Sequence, residues 1–475
     1  MMQGAALALM GACVLASLVL MFNMVGRDRI VVTPPSIDKT FWVSKERVSS
    51  AYLEQMGSFI AYLTLDVSPQ SIDWKKTMLL QYVSPDIYGA LQTRQELGAD
   101  VVVFPESTAE VRDIVLACAR HRVPVIPFGT GTSLEGHVLA VAGGVTIDVS
   151  RMNKVLRVSV DDLDVTVQAG VTRKQLNDEI RHTGLFFPVD PGADASLGGM
   201  AATRASGTNA VRYGTMRENV LSLTVVTADG RIIRTARRAR KSAAGYDLTR
   251  LFVGSEGTLG VITEVTVRLY AAPEAMSAAT CSFADIAGAV RTVIQTLQAG
   301  IPIARCEALC ATTMRAINAH SKTSYPEQPM LFLEFHGTQA SVAEQAELVQ
   351  EIARENGGTG FEWATRAEDR NRLWNARHQA YFACLQLRPG ARAVSTDVCV
   401  PISRLTECMV QTAQDIAQAS MPIPMFGHVG DGNFHLVILV RPDHPEDLVE
   451  AKALNGRLVE RALAMEGTCT GEHGI

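Results

Sequence analysis

The sequence lacks the hallmarks of several large protein classes. Its nine cysteines are an odd number and form no Cys-x-x-Cys pair, which argues against a disulfide framework and against a thiolate zinc cluster. Positive charge is not in excess, because 44 Lys and Arg face 49 Asp and Glu, so nothing indicates a nucleic-acid partner. Since 47% of the 475 residues are hydrophobic and only 20% are charged, the chain can bury the cores of two or three domains.

Charge is also missing from the N-terminus, where residues 1–26 carry no charged side chain. Residues 5–25 are nearly all apolar, and as a helix they would extend about 31 Å, enough to cross a hydrocarbon core of about 30 Å. The first basic residues, Arg27 and Arg29, come after this stretch, unlike those of a secretory signal. We predict a membrane anchor at 1–29, with a cleaved targeting segment or a mis-assigned start codon as alternatives. Residues 30–97 carry no motif.

From Val101 onwards, hydrophobic periodicity predicts two α+β units, 98–272 and 273–475. In the first unit, Ser107 and Glu110 predict a capping box for a helix over 108–121. Asp229-Gly230 predicts a two-residue turn between strands 223–226 and 232–233. The second unit is predicted to alternate strands at 331–335, 394–400 and 434–440 with helices at 284–297, 342–356, 367–386, 405–419 and 447–465.

Three glycine-rich stretches lie in the first unit: PFGTGTSLEG at 127–136, VDPGADASLGGM at 189–200 and GSEGTLGVI at 254–262. The first has neither the Gly-Lys-Ser/Thr of a Walker loop nor the GxGxxG spacing of a Rossmann turn. Small residues allow backbone N–H groups to surround an anion and allow main chain to approach a flat ligand closely. Each stretch alone is also typical of a tight inter-strand turn, but three in one domain favour a dinucleotide.

Histidines and a glutamate in the second unit suggest a metal centre. His428 and His435 flank an Asp-Gly turn in GHVGDGNFH, seven residues apart, so their rings could converge. Glu472, in GEHGI, would complete a set of two histidines and one carboxylate that suits Zn, Mn or Fe and leaves positions open for substrate. His473 then remains as a proton acceptor. Isolated surface or core histidines are the alternative interpretation.

Together with SGTNAVRYGT, KSAAGYDLTRLFVGSEGTLGVIT, STDVCVPISRL and GTCTGEHGI, these stretches resemble the D-lactate dehydrogenase (cytochrome) group. That group belongs to the FAD-linked oxidases of the vanillyl-alcohol oxidase/p-cresol methylhydroxylase fold. The resemblance runs from about Gly98 to Ile475. It implies an α+β architecture: a two-subdomain FAD-binding domain over 98–272, followed by a ferredoxin-like α+β substrate domain over 273–475.

The resemblance also assigns roles to single residues. Non-covalent FAD would be held at its pyrophosphate by Gly129, Thr130, Gly131, Thr132 and Ser133. The flavin side of the pocket would be lined by Pro191, Gly192, Ser196, Gly199, Glu256, Gly260 and Ile262. A divalent metal, Zn or Mn, would bind His428, His435 and Glu472. His473 would be the catalytic base, and Arg377 would grip the substrate carboxylate, for which a guanidinium fork is suited. A helix-surface ion pair is the alternative for Arg377.

The implied reaction is oxidation of a small D-2-hydroxy acid, D-lactate to pyruvate, with electrons passed to cytochrome c or a quinone. Relatives acting on D-2-hydroxyglutarate carry a lysine where this chain has Ser395, so a short substrate is favoured. The implied location is mitochondrial and inner-membrane associated, with the membrane reached through the N-terminal helix.

The sequence departs from the family pattern at three places, one of which is the uncharged N-terminal stretch that replaces a recognisable presequence. His137 replaces a residue that is usually glycine, and the chain stops at Ile475, whereas relatives continue for some tens of residues. A truncated, catalytically inactive flavin-binding relative is therefore the alternative function. A metal hydrolase is a third hypothesis, but it leaves the three glycine-rich loops without a role.

Overall fold

The computed structural model describes residues 99–239 and 241–473, which fall in a unit that begins at Ala99. The predicted anchor at 1–29 and the lead-in at 30–97 lie outside the described residues. Within the described ranges, no helix is both long enough and apolar enough to cross a bilayer.

The first half of the described chain builds one parallel sheet, one five-stranded antiparallel sheet and one antiparallel pair of short strands. Its strands are β1 (Val101–Val103), β2 (Val125–Phe128), β3 (Val145–Asp148), β4 (Val155–Ser159), β5 (Asp164–Gln168), β6 (Leu185–Phe186), β7 (Val220–Val226), β8 (Ile232–Arg234), β9 (Val261–Arg268) and β10 (Tyr270–Ala271). Its helices are α1 (Thr108–His121), α2 (Arg173–Ile180), α3 (Leu197–Thr203), α4 (Ala210–Tyr213), α5 (Met216–Asn219) and α6 (Leu248–Phe252). In the parallel sheet β3 lies between β1 and β2, and the antiparallel sheet has the order β4-β5-β9-β7-β8. These sheets correspond to the two predicted subdomains.

Local sequence explains how α1 begins. The Ser107 side chain accepts a hydrogen bond from the Glu110 N–H, as predicted, but the Glu110 carboxylate accepts from the N–H of Glu106 and not from that of Ser107. The helix buries Val111, Val115 and Cys118, which follow one another at helical spacing and therefore face the core.

The predicted hairpin is present, but its two-residue turn is wrong. Val226 pairs with Ile232, and the Thr227 N–H donates to the Arg231 carbonyl, so three residues form the loop. Gly230 ends that loop at φ +78°, a left-handed conformation that glycine adopts without strain.

The second half builds one large antiparallel sheet. Its strands are β11 (Ala275–Ser282), β12 (Ile303–Leu309), β13 (Met330–Gly337), β14 (Thr359–Ala364), β15 (Arg392–Ser395), β16 (Val398–Cys399), β17 (Met425–Gly427) and β18 (Asn433–Val440). Its helices are α7 (Ile286–Gln298), α8 (Ala311–Ser321), α9 (Gln339–Glu355), α10 (Ala367–His378), α11 (Ala380–Leu385), α12 (Leu405–Ile416) and α13 (Pro445–Ala464). The sheet order is β14-β11-β13-β12-β17-β18-β15, with β16 also paired to β18.

The order β14-β11-β13-β12, with α7 after β11 and α9 after β13, is the β-α-β-β-α-β arrangement of a ferredoxin-like domain. The predicted ferredoxin-like domain is therefore confirmed, and β17, β18 and β15 extend its sheet. Two predicted elements are each divided in the structure. Helix 367–386 is separated into α10 and α11 at Gln379, and strand 394–400 is interrupted at Thr396 and Asp397.

Both faces of this sheet are buried, as the alternation of side chains along β13 shows. Leu331, Leu333 and Phe335 pack into one apolar core, whereas Met330 and Phe332 pack into another on the opposite face. The core on the first face includes residues of α7, α9, α12 and α13, and the core on the second face includes residues of α8, α10 and α11. The candidate site lies at the edge of the second core.

Candidate active site

Predicted site residues from both halves of the described chain line one cavity of about 750 Å³. From the first half it is lined by Gly129, Thr130, Gly131, Thr132, Ser133, Pro191, Gly192, Gly199, Glu256, Gly260 and Ile262. From the second half it is lined by Arg377, His428, His435, Glu472 and His473. The fold thus brings the glycine-rich stretches and the histidine cluster to one place, although they lie up to about 340 positions apart in the sequence.

The wall from the first half suits an anionic, flat ligand. At Gly192 a Cβ would meet nothing within 4 Å, so the backbone faces open space. The N–H groups of Thr132 and Ser133 donate no hydrogen bond to any described residue. A wall with little side chain and with unpaired amide donors fits a phosphate-bearing cofactor such as FAD.

Ser196 is the one predicted cofactor residue that does not line this cavity. It is buried, and its hydroxyl accepts a hydrogen bond from the Gly199 N–H at 3.4 Å, which caps α3. A Cβ at Gly129 would lie 2.2 Å from the Ser196 Oγ. Ser196 therefore lies behind the cavity wall, where it caps α3 and packs against the backbone of Gly129.

His137, the departure from the family pattern, joins two of the predicted cofactor residues. Its Nδ1 lies 2.5 Å from the Ser133 Oγ, and its Nε2 lies 2.9 Å from a Glu256 carboxylate oxygen. The imidazole thus connects the first glycine-rich stretch to the third at the cavity wall.

Glu307, a fully buried residue of β12, orients His428. The Nδ1–H of His428, which follows β17, donates to Glu307 Oε1 at 2.6 Å. Burial opposes ionisation of Glu307, but His428 and Arg377 outweigh it and lower the pKa of this carboxyl. Burial likewise disfavours charged His428, yet Glu307 and Glu472 raise the pKa of this imidazole well above its ordinary value. His428 is therefore held with its Nε2 toward Glu472, 3.1 Å from Oε1.

His435, on β18, presents its Nε2 to the same oxygen. Its Nδ1 lies 3.1 Å from the Thr396 carbonyl oxygen, which can only accept, so the proton is on Nδ1. The other ring nitrogen, Nε2, then faces Glu472 Oε1 at 3.1 Å. Two electron-rich atoms at this distance repel unless a proton or a metal cation lies between them.

The donor set therefore fits a divalent cation. One ligand atom each from His428, His435 and Glu472 lie within 4.8 Å of one another. Two imidazole nitrogens and one carboxylate oxygen suit Zn or Mn, and a hydrogen bond from the far nitrogen of each ring is the usual support of a metal-binding histidine. Burial opposes ionisation of Glu472, but His428 and His435 hold the pKa of this carboxyl well below its usual range, so it would be an anionic ligand.

His473 lies beside this set. Its ring stacks on that of His435, with centroids 5.0 Å apart and planes inclined by 4°. Burial, followed by the proximity of His435, lowers the pKa of His473 below the ordinary value for histidine. The ring is therefore neutral at pH 7 and can accept a proton.

Arg377 forms an ion pair, as in the alternative interpretation, but the pair is buried with Glu307 and does not lie on a helix surface. The side chain is buried, its Nε and Nη2 donate to Glu307 Oε2 at 3.1 and 2.5 Å, and its guanidinium lies 5.1 Å from the Phe426 ring centroid. Its Nη1 has no hydrogen-bond partner among the described residues and belongs to a side chain that lines the cavity. The role of Arg377 toward a substrate carboxylate stays a prediction.

Sequence reasoning missed Glu307 and did not assign a role to Asp397. Glu307 orients both His428 and Arg377, and Asp397 accepts hydrogen bonds from the backbone of Glu472 and His473. The one available signal for Glu307 was its charge in the strand Ile303–Leu309, where Arg305 is the only other charged residue. Such a residue is rarely buried without a partner.

Two family models match successive stretches of the described chain. Residues 99–236 match "FAD binding domain", and residues 272–475 match "FAD linked oxidases, C-terminal domain". Residues 1–101, for which no motif was found beyond the apolar stretch, match a different family, described as "TraE protein".

Curated relatives align over 79% of this chain. A "Probable D-lactate dehydrogenase, mitochondrial" of Danio rerio is 56% identical and 76% of its length is covered. A "D-lactate dehydrogenase [cytochrome], mitochondrial" of Arabidopsis thaliana is 48% identical and 66% covered. "Glycolate oxidase subunit GlcD" of Bacillus subtilis is 34% identical and 80% covered.

A solved structure titled "alkyldihydroxyacetonephosphate synthase in P212121" has the same fold, with a TM-score of 0.63 over 85% of this chain and 80% of that one, at 19% identity. The paired FAD-oxidase domains and the identity to curated relatives establish that the chain belongs to the FAD-linked oxidases, in the D-lactate dehydrogenase (cytochrome) group.

Proposed function

We propose that the chain oxidises D-lactate to pyruvate, using non-covalent FAD and a divalent metal, Zn or Mn, bound by His428, His435 and Glu472. One observation carries the proposal: the same cavity has a glycine-rich wall from the FAD-binding half and an electron-rich donor set from the other half. The names of the curated relatives support the choice of substrate.

Bound FAD would supply a two-electron acceptor, and the divalent cation would supply a Lewis acid that lowers the pKa of a substrate hydroxyl. The chain's own residues bind and orient the hydroxy acid. Arg377, through its Nη1, would bind the carboxylate, while Glu307 keeps the guanidinium in place. Neutral His473 would accept the hydroxyl proton at a ring nitrogen.

The cavity lining at Ser395 supports a short substrate. Ser395 lines the cavity, and the next residue, Thr396, uses its hydroxyl to accept the Leu436 N–H at 2.9 Å. Neither offers a positive charge for a distal carboxylate. We therefore expect D-lactate to be used at least tenfold more efficiently, by kcat/KM, than D-2-hydroxyglutarate, and a preference for hydroxyglutarate would contradict this view of Ser395.

Anaerobic flavin reduction tests the function directly. The purified, FAD- and metal-loaded chain is mixed with D-lactate, L-lactate, glycolate or D-2-hydroxyglutarate, and the loss of flavin absorbance is followed. We expect D-lactate to bleach the flavin fastest and to yield pyruvate. Bound flavin that stays oxidised with every hydroxy acid would instead support the alternative of a catalytically inactive flavin-binding relative.

The glycine-rich wall yields a separate expectation for cofactor binding. In Gly129→Ala, the new Cβ displaces the Ser196 Oγ, so both the wall and the α3 cap are disturbed. We expect FAD affinity to fall at least tenfold, or about 1.4 kcal/mol, measured by titrating apoprotein with FAD. Gly456→Ala is the control, because a Cβ there, within α13, meets nothing within 4 Å. Equal FAD affinity in both variants would contradict the assignment of the wall.

The electron acceptor and the cellular location are proposed from the names of the relatives. Relatives named as cytochrome-type and mitochondrial support cytochrome c as acceptor and a mitochondrial location; inner-membrane association stays a prediction. Steady-state reduction of cytochrome c, compared with that of a soluble quinone under D-lactate, decides the acceptor. Reduction of the quinone alone would exclude cytochrome c.

A further inference from the structure

We propose that Asp397 is the positioning residue that holds the metal ligand Glu472 and the base His473 in their working geometry. The inference rests on the proposed function and deepens it, since it concerns how the same site is assembled. Asp397 lies in the interruption between β15 and β16, one residue beyond the Thr396 carbonyl that receives the His435 Nδ1–H.

One carboxylate oxygen of Asp397 accepts hydrogen bonds from the backbone of residues 471–473, the segment that carries Glu472 and His473. Oδ2 accepts the N–H groups of Gly471, Glu472 and His473 at 2.7, 2.8 and 3.0 Å, and the Thr470 hydroxyl at 2.9 Å. Three successive N–H groups that converge on one point form an anion-binding nest, here filled by a side chain of the same protein.

The second carboxylate oxygen holds the Asp397 side chain in place through contacts with β18. Oδ1 accepts the Asn433 side-chain N–H at 2.8 Å and lies 3.5 Å from His435 Nδ1. Asn433 and His435 are both on β18, so Asp397 joins the strand that carries one metal ligand to the segment that carries another. Its side chain is only 6% exposed, which keeps competing water away from these bonds.

Few other backbone hydrogen bonds among the described residues restrain this segment. Thr468 exchanges backbone hydrogen bonds with Cys399, but the described N–H groups of residues 471–473 donate only to Asp397. Gly471 also has to be glycine, because a Cβ there would lie 2.1 Å from the Asn433 side chain. Removal of the Asp397 carboxylate therefore frees the backbone that orients Glu472 and His473.

A direct metal-ligand role for Asp397 is the competing interpretation, since Asp397, His435 and His473 also offer ligand atoms within 4.8 Å of one another. Two contacts argue against it. The His435 Nδ1 carries a proton donated to Thr396, and Asp397 Oδ2 already accepts four hydrogen bonds. Neither atom has a lone pair free in the direction of a metal.

The experiment compares Asp397→Ala and Asp397→Asn with Thr470→Val in the full chain. Thr470→Val removes one of the four bonds to Oδ2 and keeps the three backbone donors. We measure hydrogen exchange of residues 469–473, Mn²⁺ affinity by competition with a chelator, FAD content, and the rate of anaerobic flavin reduction by D-lactate.

For Asp397→Ala we expect amide exchange at 471–473 to quicken at least tenfold and Mn²⁺ affinity to fall about 10–100-fold, the usual effect of losing a supporting partner of a metal ligand. Flavin reduction slows by a similar factor at saturating D-lactate, while FAD content stays unchanged. Thr470→Val stays within about threefold of the parent in each measurement. Asp397→Asn, which keeps an acceptor oxygen and the side-chain shape, falls between them.

Unchanged exchange and unchanged Mn²⁺ affinity in Asp397→Ala overturn the proposal. So does a full loss of Mn²⁺ in Asp397→Asn with exchange at the parent rate, since that pattern marks a direct ligand. Because amide exchange needs neither substrate nor turnover, it reports on Asp397 even if the parent chain fails to oxidise D-lactate. If Asp397→Ala does not fold, the comparison of Asp397→Asn with Thr470→Val carries the test.

Discussion

Replacing His473 by alanine slows flavin reduction by D-lactate by about 10²–10⁴-fold, the usual contribution of a general base. His473 stacks on His435, is neutral at pH 7 because burial and His435 lower its pKa, and faces the same cavity as the metal set. Among the described ring contacts of the predicted metal ligands, the pair of His435 and His473 is the stacked one; the others are edge-to-face. The measurement is anaerobic stopped-flow reduction of bound FAD at saturating D-lactate.

The control for this variant is His444→Ala, which removes an exposed imidazole that pairs with Glu446 at the start of α13. We expect the control to reduce its flavin at the parent rate. His473→Ala should keep its FAD, because the glycine-rich wall is untouched. A reduction rate within threefold of the parent would exclude His473 as the base.

Removing the metal, or one of its ligands, has the second large effect. We expect a chelator to lower turnover with D-lactate more than 100-fold, and added Mn²⁺ or Zn²⁺ to restore it, because the substrate hydroxyl then loses the cation that stabilises its ionised form. In His435→Ala the same loss is expected without recovery at micromolar metal. The measurement is turnover together with metal content per chain.

Glu307→Gln is the companion variant for the metal experiment. It keeps the size of the side chain but removes the charge that orients His428 and holds Arg377. We expect weaker metal binding and a raised KM for D-lactate, because both the ligand and the carboxylate grip lose their support. Full turnover after chelation, with no metal detected, would contradict the assignment of the donor set.

Local patterns were enough to predict the elements that depend on neighbouring residues. Ser107 marks the start of α1 because its hydroxyl satisfies an N–H three residues later, and the helix ends at His121 as predicted. The turn at Asp229-Gly230 was located correctly, but its length was not, since a two-residue and a three-residue loop differ only in strand register. Strands β11 and β12 were missed because strands buried in the middle of a sheet carry no alternating pattern.

In the candidate site, too, residues in short motifs could be predicted from the sequence, whereas residues that act through distant contacts could not. His428, His435, Glu472 and the glycine-rich stretches could be recognised as motifs, since each uses residue types that suit one ligand chemistry. Glu307 and Asp397 could not, because their roles depend on contacts across 121 positions, from Glu307 to His428, and 76 positions, from Asp397 to His473. A carboxylate becomes an orienting group only through the donors that surround it.

By itself the sequence determined the family and the order of the domains, and it predicted the residue types of the cofactor wall and of the proposed metal set, because these depend on short stretches of chain. Only the tertiary structure decided that the two sets of residues line one cavity and that Glu307 holds Arg377 there. It also decided that one oxygen of Asp397 accepts hydrogen bonds from the backbone of residues 471–473. The reason is physical: hydrogen bonds and Coulomb forces act between atoms that folding brings together, whatever their separation along the chain.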